Sequence, residues 1–344
     1  MESYSDELAV GLNAMRKEEK FCDAVLVTPS GTRFHCHRVV LSALSKFFEV
    51  MFDSQMMEGT SREVTLEEED GVVEAVLQFM YTGHNFAMSS FRTSLFLSGG
   101  SAKKRQFLRF VGEKNSWINC QDLPTPRQYH SLVSVGLFVY VIGGCETPSS
   151  APFKEIEAFD VRIERWLDID HPAALLKPVR SCSCTVVGDT VYVFGGFNNQ
   201  HQTCDMIQYY NTTRNFTGGY QWCKVPRELQ IQIRVVTIQG CIYVLSKDGG
   251  VHEFKVKEEK LVKHNDIEKG KFPRKGYGAC EWGDNVLIVG GEVKYQPKKD
   301  MLQYKLKDNV IFSMQEELPF PCRDFIYTKY SVPNDILQYE KTED

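Results

Sequence analysis

The side chains in this sequence best suited to chemistry are its eleven cysteines and eight histidines. His35-Cys36-His37 sets two imidazoles two residues apart, on one face of a strand, as in half of a metal site. A structural zinc needs four ligands, and no second cluster at ligand spacing occurs elsewhere. Cys182 and Cys184 alternate along an apparent strand and point to one face, but neighbours on one strand seldom make an unstrained disulfide. Cysteine catalysis requires a base and an orienting group brought to the thiol, and the spacing nominates no such trio. Asn211-Thr212-Thr213 and Asn215-Phe216-Thr217 are glycosylation sequons that only an exported chain would use. The expectation is a protein that is not an enzyme, with no metal and no cofactor.

Bulk properties narrow the remaining classes. The 344 residues suffice for two or three domains, and 42% hydrophobic with 25% charged residues is ordinary for a folded protein. No apolar run approaches the roughly 18 residues that cross a bilayer, and the first twenty residues lack the apolar centre of a signal peptide. A net charge of −5 disfavours nucleic acid or an anionic membrane as the main partner. Cysteines that are odd in number and without framework spacing point to a reducing compartment, the cytoplasm.

A repeat organises the long C-terminal part. FVYVIGG ends at Gly144, VYVFGG at Gly196 and VLIVGG at Gly291, with a weaker copy, SLFLSGG, ending at Gly100. The glycine pairs lie 44, 52 and 95 residues apart, and CIYVLSK at 241–247 fills the double gap. Arginines stand roughly 16 residues before each strand end, at 127, 180, 234, 274 and 323. A second apolar segment follows each glycine pair, and Trp117, Trp166, Trp222, Val262 or Phe312 comes next. Four short strands per period of about 50 residues predict the blades of an all-β propeller. Paired glycines allow a bend where a Cβ would collide, and a tryptophan fills the gap between twisted sheets. The arginines are assigned to structure. The first copy lacks a first strand and the last copy has only that one. The segment 318–330 is therefore expected to pair with the blade begun at Ser94 and to close five blades, with six as the alternative.

The N-terminal part alternates differently. Residues 6–19 form a predicted amphipathic helix, with Leu8, Leu12 and Met15 on one stripe. Strands are expected over 21–28 and 32–37 around the turn Pro29-Ser30-Gly31, then a helix from His37, a strand over 63–66 and a helix over 70–81. The acidic run Glu67-Glu68-Glu69-Asp70 is expected to cap that last helix.

The double glycines, the tryptophans and LPTPRQYHSL at 123–132 resemble kelch repeats over about 240 residues. FCDAVL, FHCHRVVLSALSKFF and FMYTG, in that order, resemble the BTB (POZ) domain, a dimerisation module. Together the chain resembles a BTB-kelch protein. The resemblance implies an α+β BTB/POZ-like domain over 1–90, a propeller over 91–330 and a polar tail over 331–344. It places Asp23 and Arg38 in a charged pocket at the dimer interface, and Leu8, Leu12 and Met15 in an exchanged dimer contact. Many members are substrate adaptors of cullin-3 ubiquitin ligases through a hydrophobic-x-Glu motif, here Met56-Met57-Glu58. Propeller loops just after the glycine pairs imply a target-binding surface at Tyr129, Cys145, Phe197 and Glu292. The sequence departs from the family pattern after Tyr81-Thr82-Gly83, where the end of BTB and the helical BACK region are missing. The expected function is therefore a cullin-3 adaptor, with a non-degradative actin-associated scaffold as the alternative. A dominant-negative form that binds targets without a ligase is a third reading.

Overall fold

A computed structural model describes residues 4–44, 48, 51–52, 62–67, 70–82, 86–92, 94–99, 104–111, 116–167, 173–220, 225, 229, 233–267, 274–294 and 296–322. The chain divides into two compact units, Met1–His84 and Asn85–Asp344.

In the first unit the elements run α1 (Tyr4–Lys17), β1 (Ala24–Val27), β2 (Arg33–Cys36), α2 (Arg38–Leu44), β3 (Glu63–Thr65) and α3 (Asp70–Thr82). β1 pairs antiparallel with β2 and parallel with β3. Ala24, Leu26, Cys36, Leu41, Val64, Leu77 and Tyr81 form a buried core between this sheet and the helices. Asp70, the last residue of the acidic run, reaches across to the β1–β2 turn. Its carboxylate accepts hydrogen bonds from Thr28 (2.5 Å), Ser30 (2.7 Å) and Thr32 (2.7 Å), so the start of α3 grips the β1–β2 turn. Charge-assisted bonds of this kind are among the stronger ones in a fold.

The second unit holds five blade-like antiparallel sheets among its described residues. Sheet I is β4 (Phe86–Phe91), β5 (Ser94–Gly99), β6 (Phe107–Val111) and β7 (Ser116–Asn119). Sheet II is β8 (Ser131–Val135), β9 (Phe138–Ile142), β10 (Ile156–Asp160) and β11 (Arg165–Trp166). Sheet III is β12 (Ser183–Val187), β13 (Thr190–Phe194), β14 (Ile207–Asn211) and β15 (Phe216–Tyr220). Sheet IV is β16 (Arg234–Ile238), β17 (Cys241–Leu245), β18 (Gly250–Lys255) and β19 (Lys260–Asp266). Sheet V is β20 (Gly278–Trp282), β21 (Asn285–Val289), β23 (Gln296–Lys305) and β24 (Val310–Cys322), with the two-residue β22 (Glu292–Val293) also on β23.

The expected exchange of the C-terminal strand does not occur among these residues. The edge beside Ser94 belongs to β4, which pairs Ser90 with Leu95 and Phe91 with Ser94. β24 instead pairs with β23, Lys305 opposite Val310. A neighbour two residues away, as for β4 and β5, or four, as for β23 and β24, closes a far smaller loop than one at the other end of the chain, and loop-closure entropy favours the local hairpin. Each sheet is therefore built from consecutive strands.

First strands pack side by side, β4 on β8, β8 on β12, β12 on β16 and β16 on β20. A polar stitch crosses every one of these seams. Ser89 meets Ser134 (2.9 Å), Ser131 donates to the Cys182 carbonyl (2.8 Å), Thr185 meets Thr237 (2.6 Å), and Arg234 Nε donates to the Tyr277 carbonyl (2.6 Å). Farther out, aromatic side chains fill the seams. Trp166 of sheet II lies 5.0 Å from Phe107 of sheet I, and Phe254 of sheet IV touches Tyr192, Phe194 and Tyr220 of sheet III. Phe159, Tyr210, Phe254 and Tyr304 occupy the same buried register of the third strands, opposite Val139, Val191, Ile242 and Val286.

The second glycine of each intact pair has the same geometry. Gly144, Gly196 and Gly291 have φ of +87°, +90° and +89°, and a Cβ there would stand 2.7–2.8 Å from the carbonyl oxygen of residue 128, 180 or 275. Gly188 sits in a turn with a similarly positive φ of +57° but open space around it. Gly196→Ala is expected to cost clearly more than Gly188→Ala, which carries only the left-handed penalty of about 1–2 kcal/mol. Urea melts of the two variants check this; equal losses would contradict the close approach.

Candidate functional site

The loop ends of the sheets are built on one repeated device. After each intact glycine pair the chain makes an isolated bridge, Cys145 to Gln128, Phe197 to Arg180 and Glu292 to Lys275. The next residue on the incoming segment turns with positive φ, Tyr129 at 57°, Ser181 at 55° and Gly276 at 57°. Of the residues expected to face a target, Cys145 is fully buried and Glu292 nearly so. They floor their loops, because the bridge turns their side chains inward. Tyr129 and Phe197 are half-buried.

These bridges also set the true register of the repeat arginines. Arg127 and Arg274 each stand one residue before the bridge and donate to the carbonyl of the first glycine, Gly143 (2.9 Å) and Gly290 (2.7 Å). Arg127 pairs with Glu157 at 2.8 Å, and Arg274 grips both oxygens of Asp300 at 2.9 Å. Arg180 lies one residue later, in the bridge itself, and Val179 fills the equivalent slot. Arg234 pairs with Leu245 within β16, and Ser131 holds the corresponding place in sheet II. Of the four repeat arginines among the described residues only two share a register, since the sequence spacing varied and a slip of one residue turns a side chain to the other face. Arg323 lies outside the described residues.

Freed from that slot, Arg180 serves the loop of sheet III. It donates to the Pro148 carbonyl and lies 3.1 Å from His201 Nδ1 and 3.8 Å from Cys145 Sγ. Above it opens a cavity of about 960 Å³, lined by Lys177, Pro178, Phe197, His201, Thr203 and Asp205 among others. Its walls are set in advance. Buried Gln208 holds both backbone groups of Lys177 (2.8 and 3.1 Å), and Asn198 Oδ1 accepts from the amides of Gln200 and Gln202 (2.9 Å each). Lys177 and Asp205 form an exposed pair at 3.4 Å. An aromatic ring beside mixed charges and a fixed backbone suits recognition of a protein surface.

Under the neighbouring loop, His130 is buried against Gly99 and Gly144, and its Nε2 meets Ser98 at 2.6 Å. Burial, and then the Arg127 charge, push its pKa down to about 3. Glu157, Asp300 and Gln208 escaped the sequence reading. The acid in EIEAF and the one in DMLQY were the available signal, hidden because they stand two residues apart in the repeat register.

In the N-terminal unit, Asp23 and Arg38 are brought together, but Asp23 accepts from the Arg38 backbone amide (2.7 Å) while the guanidinium lies 4.8 Å from the centre of the Phe52 ring. Leu12 packs on the core and Met15 is exposed. The side chain of Leu8 and all of Met56 and Glu58 lie outside the described residues. The His-Cys-His stretch is structural. His37 binds the Tyr81 hydroxyl (2.9 Å) and the Lys20 carbonyl (2.9 Å), and burial pushes the Cys36 thiol up to about 12. Both sequon asparagines support the β14–β15 turn, Asn211 accepting from the Arg214 amide and Asn215 from the Tyr210 hydroxyl. No helix of the described residues is long and apolar enough to cross a membrane.

Comparison with known proteins finds two family models in succession along the chain. The family model of the BTB/POZ domain matches residues 12–98, and that of the KLHDC2/KLHL20/DRC7 Kelch-repeats domain matches 78–245. Kelch-like protein 23 of Homo sapiens is 27% identical over 168 residues, 44% of this chain and 29% of that protein. Kelch-like protein 7 of Gallus gallus is 32% identical over 114 residues, 32% of this chain and 19% of that protein. Kelch-like protein 28 of Mus musculus is 31% identical over 84 residues, 24% and 14% of the two chains. The matched stretches thus span less than a third of these relatives' length.

Two stability measurements follow from the buried charges. Glu157→Gln leaves the Arg127 guanidinium, itself fully buried, without its carboxylate, and breaking a buried pair costs about 3–5 kcal/mol. Asp205→Asn, at an exposed pair, should cost less than about 1 kcal/mol; chemical denaturation compares the two. His130 is neutral when folded and takes a proton near 6.5 when unfolded, so its contribution is intact above that pH and is lost as pH falls toward 3. Between pH 7 and 5 the native chain should lose about 2 kcal/mol more than His130→Gln, read from urea midpoints.

Proposed function

Taking as premise that the chain belongs to the BTB-kelch family, we propose that it is a protein-interaction adaptor of a cullin-3 ubiquitin ligase. The cavity beside Phe197 carries this reading, because it is a preorganised recess on the loop end of a sheet array and gathers no catalytic group set. The second unit holds a protein target, and the first joins a second copy of the chain and the ligase scaffold. No residue here performs a bond-making step. Phe21 and Val39, 82% and 72% exposed, are apolar side chains of the first unit that a second copy would cover. Pairing presents two capture surfaces and raises avidity through effective concentration. Met56 and Glu58 would supply the apolar anchor and the orienting charge for cullin-3.

One observation favours a second reading, a non-degradative scaffold of the actin-associated kind. α3 ends at Thr82 and β4 begins at Phe86, which leaves no length for a helical spacer that could reinforce cullin binding.

A pull-down of the full chain with the cullin-3 N-terminal domain separates them. Retention that falls at least about tenfold in Met56→Ala/Glu58→Ala supports the adaptor, in line with a hot-spot loss of 1.4 kcal/mol or more. No retention by the unaltered chain supports the scaffold. In either case Phe197→Ala should reduce recovery of protein targets without altering the melt.

A further inference from the structure

Arg180 is a buried charge without the partner that its counterparts have. Arg127 and Arg274 each hold a carboxylate, whereas Arg180, only 6% exposed, holds none among the described residues. Its side chain meets the Pro148 carbonyl, the Cys145 sulfur at 3.8 Å and the His201 ring. A guanidinium stays charged and only donates, so His201 Nδ1, 3.1 Å from Arg180 Nη2, is the acceptor and carries no proton there. A buried cation answered by neutral groups alone is incompletely compensated.

That charge stands beneath the cavity of sheet III. Phe197, bridged to Arg180, and His201, which covers Nη2, both line the cavity. Lys177 adds a second cation to the lining. Asp205, the one acid among the described lining residues, is engaged by Lys177 across an exposed pair at 3.4 Å, and such pairs are weak. Lys177 and Arg180 therefore exceed Asp205 by one positive charge, in a chain whose net charge is −5. The excess is local. A carboxylate is the group that the arrangement lacks, since guanidinium binds carboxylate through paired N–H bonds stronger than those to neutral acceptors. The group it would replace is an exposed ring, on a residue with a left-handed φ of 58°.

We propose that the cavity takes an acidic segment of the protein target, with one side-chain carboxylate on Arg180 Nη2 in place of His201 and a neighbouring one on Lys177. The proposal rests on the reading of this cavity as the capture surface and names the chemistry captured there. Binding is by charge and hydrogen bonds, with no covalent step.

Fluorescence anisotropy of the full chain with labelled hexaglutamate, acetylated and amidated at its ends, tests the site against hexaglutamine capped in the same way. Hexaglutamate should bind at least about tenfold more tightly, and Arg180→Gln should remove at least about tenfold of that affinity, the loss expected for a charged hydrogen bond. Lys177→Gln should weaken binding about threefold and Asp205→Asn, which frees Lys177, should tighten it about threefold, the range of an exposed pair. Both lie at exposed positions, so their opposite shifts do not depend on whether Arg180→Gln folds. Equal binding of the two capped peptides, or hexaglutamate affinity unchanged in Lys177→Gln and Asp205→Asn, would overturn the proposal. So would hexaglutamine with a free C-terminus binding as tightly as capped hexaglutamate, which would make a chain end the ligand. If hexaglutamate fails while Phe197→Ala still lowers target recovery, the acidic ligand falls and the capture surface stands. If hexaglutamate binds as expected while Phe197→Ala leaves recovery unchanged, the capture reading falls instead.

Discussion

The second unit depends on one steric constraint, the approach of the chain to its own backbone at the second glycine of each pair. At Gly144, Gly196 and Gly291 the carbonyl oxygen of the segment that leads into the same sheet crowds the volume of a β-carbon. That contact sets the bridge that follows, the bridge sets which side chains point inward, and those side chains decide where each arginine can reach. Sheet IV shows the converse. There Ser246 and Lys247 replace the glycines, and the chain turns at once, with Ser246 Oγ accepting from the Gly250 amide at 3.0 Å. A tight turn avoids the close approach and so does not require glycine.

Packing between sheets follows the same economy. Near their first strands, where little room remains for large side chains, neighbours are joined by hydroxyls and carbonyls. Farther out, where twisted sheets diverge, Trp166, Tyr210 and Phe254 take over. Buried charge is admitted only with compensation. Arg127 and Arg274 carry a carboxylate and a glycine carbonyl each, whereas Arg180 lacks a carboxylate among the described residues and turns to backbone oxygen and imidazole. The neutral side chain of Gln208 explains the difference: where sheet II has Glu157, sheet III has an amide committed to Lys177.

Much of this was legible in the sequence. Glycine-ended strands, the packing role of Trp166 and the hairpin around Pro29-Ser30-Gly31 all follow from local patterns, and local patterns are what period and turn chemistry report. β4 was missed because FAMSSF follows a helix and lacks the arginine by which the other first strands were sought. The partner of the C-terminal strand was misplaced for a related reason: strand counting gives totals, while pairing is decided by loop length. The arginines misled because position along a chain does not give parity, and a strand shows opposite faces at alternate residues. That Phe197 lines the cavity of sheet III could be anticipated from its place after a glycine pair. The burial of Cys145 and Glu292 could not be, since the bridge that buries them joins residues 17 positions apart.

Loop length differs sharply around the array. Thirteen residues link β9 to β10 and twelve link β13 to β14, but only four link β17 to β18. The rim is therefore stepped, tall over sheets II and III and low over sheet IV. A broad, level partner would rock on the high side and leave a gap on the other. If the proposed capture of a protein target takes place here, a narrow ridge or an extended tail entering across the shorter loop would meet no such obstacle.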